Sequence, residues 1–99
     1  MKNSTDSKMV TGVVWYRPEQ WARLREISED VENLEDTHEE WRQKAEQLLR
    51  DCPANVTMEK VEIDVEEVLA WCNVLGLHMN AQSRARYVSD KLRRKYEAS

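Results

Sequence analysis

The chain of 99 residues has no phenylalanine, two glycines, two prolines and two cysteines. Two glycines cannot build a glycine-rich loop around a phosphate, which removes the common nucleotide-binding motifs. The two cysteines, Cys52 and Cys72, are far apart and form no CxxC pair, so neither a disulfide framework nor a zinc knuckle is expected. Both are expected to be reduced and buried. No run approaches the ~18 apolar residues that a spanning helix needs. Residues 1–9 lack the apolar stretch of a secretory signal and read as a disordered polar tail. The expected location is cytoplasmic, with residues 10–99 forming one domain.

What is present is charge and a few large aromatic side chains. Asp, Glu, Lys and Arg make up 34% of the chain, the net charge is −4, and four Trp and three Tyr stand in for the missing Phe. A domain this small buries only about 60–65% of its unfolded surface, so its apolar residues must be used well. The charge is uneven. Residues 19–51 and 55–67 are acidic, whereas residues 80–99 hold six bases against two acids. The last helix is therefore a basic arm on an acidic body.

Twice a short β-branched run leads directly into a helix start. Residues 10–16 alternate as a strand, and Pro18 then suits the first turn of a helix. Residues 56–63 read as a second strand. Asp64 follows as an N-cap with Glu67 three positions on. Between these units the apolar series Leu24, Ile27, Val31, Leu34, His38, Trp41, Ala45, Leu48 and Cys52 steps by three and four without a break. One helix of that length would span about 50 Å. Ser28, Asp30 and the capping-box spacing at Asp36–Glu39 argue for two, about 18–28 and 31–51. Gly76 fits a left-handed C-cap, and Asn80 caps the last helix.

The fold class expected is α+β: a helix-rich βααβαα pseudo-repeat with a two-stranded sheet packed against the helices. An offset of 47 lays Val14 on Val61, Glu19 on Glu66 and Ile27 on Val74. A helical hairpin between the strands would bring the chain back to the far end, so the strands are expected to be antiparallel.

Few residues invite chemistry. His38-Glu39-Glu40-Trp41-Arg42 comes near the HExxH zinc motif, but Arg42 stands where the second His is required. Cys72 lies mid-helix in an apolar stripe, without the helix N-terminus or cation that activates a thiolate. Glu39 and Glu40, like Glu66 and Glu67, are adjacent and do not face each other across a cleft. No catalytic, cofactor-binding or metal-binding residues are expected, and the chain is not read as an enzyme.

Two surfaces remain. Trp15 and Tyr16 lie on a strand with apolar residues on both faces. A two-stranded sheet is marginal alone and exposes both edges, so Trp15 and Tyr16 are expected to meet a second subunit or another protein. Arg84, Lys91, Arg93, Arg94 and Lys95 on the last helix could instead neutralise phosphates of a nucleic acid. The net negative charge opposes that, and basic side chains near a helix C-terminus complement its dipole. The principal expectation is a non-enzymatic homodimer or protein-interaction module. The alternative is a small nucleic-acid-binding regulator.

The segments Tyr16-Arg17-Pro18-Glu19-Gln20-Trp21, Glu35-Asp36-Thr37-His38-Glu39-Glu40-Trp41, Val61-Glu62-Ile63-Asp64, Ala70-Trp71-Cys72 and Ala85-Arg86-Tyr87 resemble a small uncharacterised bacterial protein family. The resemblance implies a bacterial origin and no particular activity.

Overall fold

A strand of uncharged, mostly β-branched residues, β1 (Met9–Trp15), opens the fold. The computed structural model describes residues 9–97. The polar tail read at residues 1–9 thus lies outside the described residues except for Met9, which already belongs to β1. A 3-10 turn at Pro18–Gln20 leads into α1 (Trp21–Ile27), and a second turn at Val31–Asn33 precedes α2 (His38–Arg50). The chain then forms β2 (Val56–Glu62), α3 (Val65–Leu75) and α4 (Ala81–Glu97).

The local start and stop signals act as their chemistry requires. The Asp64 side chain accepts from the N–H groups of Glu66 and Glu67 at the head of α3, and Gly76 closes that helix at φ 69°. Asn80 Oδ1 accepts from Ser83 N–H at the head of α4. For α2 the capping box is Thr37 with Glu40, one residue later than the Asp36–Glu39 spacing indicates. The break between the helices is real, but it runs from Ser28 to Thr37 rather than occupying a residue or two.

The two strands pair in parallel, Met9 with Val56 through Trp15 with Glu62, which overturns the expected antiparallel sheet. The reason lies in the lengths. α1 has seven residues and rises only about 10 Å, too little to count as one leg of a hairpin. The 28–37 segment, which holds the 3-10 turn at Val31–Asn33, carries the chain across, and α2 alone makes the return trip. Its 13 residues span about 20 Å, close to the roughly 23 Å of a seven-residue strand. One effective crossover leg makes the second strand run with the first. Each paired position is separated by 47 residues, the same interval at which the sequence halves align.

The core forms where α1, α3 and α4 meet one face of this sheet. Leu24, Val61, Ile63, Val65, Val68, Cys72, Met79, Val88 and Leu92 are buried together with Tyr16 and Trp21. α4 lies against β1, and Gly12 permits the approach. A Cβ on Gly12 would stand 2.7 Å from Val88 Cγ1 and 3.3 Å from Leu92 Cδ2. On the opposite face Trp15 meets Trp41 of α2, ring centroids 5.0 Å apart.

The loop after α1 is tied to the loop before α4 by polar contacts. Glu29 N–H donates to Met79 O, and Met79 N–H donates to Glu29 Oε2. Asp30 Oδ2 accepts from Ala81 N–H at 2.9 Å. Arg84, buried to 3% exposure, donates to Ser28 Oγ at 3.1 Å and to Asp30. These bonds join the two halves of the chain where no sheet does.

Candidate association surface

The structure places Trp15 and Tyr16 in different surroundings. Tyr16 is 4% exposed, inside the core. Its ring stacks edge-on against Trp21 and Trp41 at 5.6 and 5.0 Å. Burial pushes its hydroxyl above the ordinary tyrosine range, and the nearby Arg84 guanidinium offsets this in part. Tyr16 therefore offers no surface to a partner, because its ring is consumed by the core. Trp15 is half-buried, closed on one side by Trp41 and overlaid by Lys60, whose Nζ lies 4.1 Å from the ring centre. Such a cation over an indole is a stable local arrangement.

The basic residues of α4 are also engaged internally. Arg84 is buried against Asp30 and Ser28. Lys91 Nζ donates to the Glu62 carbonyl at 3.1 Å. Arg93 and Arg94 both pair with Asp90, and Lys95 pairs with Glu59. The five do not form one ridge, since Arg84 points inward while Arg93 and Arg94 are largely exposed.

His38, Cys52, Cys72 and His78 are dispersed. His38 Nε2 donates to the Tyr16 carbonyl at 2.7 Å and packs beside Trp41. His78 Nδ1 lies 2.9 Å from Glu29 Oε1. Cys72 is buried mid-helix, and burial pushes its thiol above the ordinary range. Cys52 lies beyond the end of α2, half-buried rather than in a helical stripe, with Sγ 3.0 Å from the Val56 carbonyl. Among the described residues no three His, Cys, Asp or Glu side chains converge as a metal site would need.

The strand edges carry a further feature. Met9 N–H donates to Asn55 O, so alternation directs the odd-numbered groups of β1 toward β2 and turns those of Val10, Gly12 and Val14 outward. On β2 the same alternation turns Val56, Met58, Lys60 and Glu62 outward. That edge is guarded. Cys52 and Lys91 take the carbonyls at its two ends, and Glu59, Lys60 and Glu62 put charge along the strand. Among the described residues the β1 edge has neither device beyond the His38 bond to Tyr16 at its end. Met9-Val10-Thr11-Gly12-Val13-Val14-Trp15 contains no charged residue and no proline. Charges, prolines and bulges are the usual protection of a sheet edge.

Beside this edge runs a groove of about 280 Å³ between Val10, Thr11 and Gly12 of β1 and Ser89, Leu92, Arg93 and Tyr96 of α4. Met9, Val10 and Tyr96 are large apolar residues left 62%, 43% and 52% exposed there. Sequence reasoning placed partner contacts at Trp15 and Tyr16 and passed over Val10 and Gly12. Two signals pointed to them: the complete absence of charge across the first strand, and a glycine inside a strand run, which often marks close backbone approach.

No family model, no curated protein and no solved structure matches the chain. The bacterial kinship read from its segments gains no support there and meets no contradiction. Among the described residues no helix is long and apolar enough to cross a membrane.

Proposed function

We propose that the protein is a non-enzymatic association module that joins protein to protein, beginning with a second copy of itself. The observation that carries this reading is β1: an uncharged strand whose edge is unguarded, in a sheet of two strands, among the described residues. Isolated two-stranded sheets gain much from added strands. The histidines and thiols are apart, and the buried Arg84 is engaged with Asp30 and Ser28 in holding the loops together.

Sedimentation equilibrium of the full chain over a wide concentration range tests the reading. The expected result is a mass that doubles with concentration and changes little with added salt, because backbone pairing and apolar burial are weakly screened. A monomer at every concentration would overturn it.

The second reading, nucleic-acid binding through α4, draws on the exposure of Arg93 and Arg94. It loses Arg84 as a phosphate contact, since that guanidinium is inside the fold. Retention on heparin that falls steeply with salt, and vanishes on replacing Arg93, Arg94 and Lys95, would favour it.

A further inference from the structure

We propose that β1 is the self-association seat: two copies pair their β1 edges antiparallel about a twofold axis at Thr11, which sets Val10 of one copy opposite Gly12 of the other and gives a continuous four-stranded sheet. This rests on the association reading above and specifies where and with what the contact is made.

The direction of pairing follows from symmetry. A twofold axis perpendicular to the sheet sets identical edges antiparallel, each residue meeting its counterpart reciprocally. The outward N–H and C=O groups of Val10 and Gly12 then find partners in the second copy, the unmet capacity that an open edge carries. The choice of β1 over β2 follows from charge. In a chain with 34% charged residues the seven of β1 carry none, so its edge opposes a copy of itself with no like charge. The β2 edge would set Lys60 and its flanking glutamates against their own kind.

A strand edge alone supplies less than the ~800 Å² that each partner of a stable dimer buries. The flank of α4 supplies more. With α4 lying over β1, the same twofold axis brings the two α4 helices side by side on one face of the joined sheet. The flank they would share carries Ala85 and Ser89, small exposed residues one turn apart, the Arg93 guanidinium, which pairs with Asp90 of its own helix, and the half-exposed ring of Tyr96, whose hydroxyl donates to Glu59. Small residues let helices approach closely, and Tyr is favoured where one end of a ring stays wet. Gly12 contributes by letting α4 lie close against the strand, since a Cβ there would meet Val88 and Leu92.

Amide exchange on the full chain, at low and high concentration, reads the seat residue by residue alongside the mass. The expected result is a doubled mass together with roughly tenfold or greater slowing at the Val10 and Gly12 amides, and unchanged exchange at Met58 and Lys60. Val10→Lys places a charge on an exposed edge position. It should weaken self-association about tenfold or more without changing the monomer's unfolding midpoint, whereas Thr57→Lys on β2 should not weaken it. A doubled mass with concentration-independent exchange at Val10 and Gly12, and a Val10→Lys variant that still dimerises fully, would overturn the seat and leave the association reading standing. A mass that never doubles would remove both. Protection of those amides only in a complex of one chain with a co-purified peptide would assign the edge to a foreign strand and overturn the second copy as occupant.

Discussion

Arg84 and Asp30 form an ion pair across the fold, Nη2 to Oδ2 3.1 Å, with side chains only 4% and 16% exposed. Asp30 also receives the first N–H of α4, from Ala81. One carboxylate thus fixes the loop after α1, the start of the last helix and a buried guanidinium together.

Removing one partner should cost far more than replacing both. Asp30→Asn leaves the Arg84 charge buried without its counter-ion, at a cost of about 3–5 kcal/mol. The double replacement Arg84→Met with Asp30→Asn should recover most of that loss. Urea unfolding of the two single variants and the double variant measures the coupling.

Acid should weaken the same seam. Burial raises the Asp30 pKa, but the Arg84 guanidinium and the Ala81 N–H outweigh it and hold the carboxyl below its ordinary value. The folded state therefore binds fewer protons at Asp30 than the unfolded chain. Its contribution is complete above the unfolded carboxylate value near ~3.9 and is lost as pH falls through the lower folded value. Asp30→Asn should flatten the pH dependence of stability in that window, measured by urea unfolding at a series of pH values.

Gly12→Ala should destabilise the protein by about 1–3 kcal/mol through overpacking, because the new methyl meets Val88 Cγ1. Adding Val88→Ala should return part of the loss, a sign that space and not strand propensity is at stake. Thermal unfolding of the four members of this cycle decides it.

The two thiols should differ under native alkylation. Cys72 is 1% exposed and its pKa is raised by burial, so it should react only as fast as the fold opens. Cys52 is half-buried outside the helices and should react first. Mass spectrometry of the alkylated peptides during the reaction gives the order, and equal rates would show that the core around Cys72 opens freely.

The caps of α3 and α4 were legible because they depend on neighbours in sequence, whereas the capping box of α2 lies one residue beyond its expected place. Asp64 before Glu66 and Glu67, Asn80 before Ser83, and Gly76 at positive φ are local chemistry. The strands were legible from their β-branched runs to within a residue. The aromatic packing of His38 on Trp41 followed from a three-residue spacing. Arg84 was misread because a guanidinium in a basic helix looks the same whether it faces water or a distant Asp30. Tyr16 was misread for a similar reason: alternation shows that a strand has two apolar faces, not which of them the helices cover.

By itself the sequence determined that the chain mixes helices with two strands, where those strands lie, and where α3 and α4 begin. Those properties arise from dihedral preference, capping and periodicity, which act over a few residues. The tertiary structure alone decided that the strands run parallel, that α4 rests on Gly12, and which strand edge stays open. These depend on how far each helix carries the chain and on which side chains fill the space between elements. Such distances are set by packing among residues separated by dozens of positions, and no local pattern encodes them.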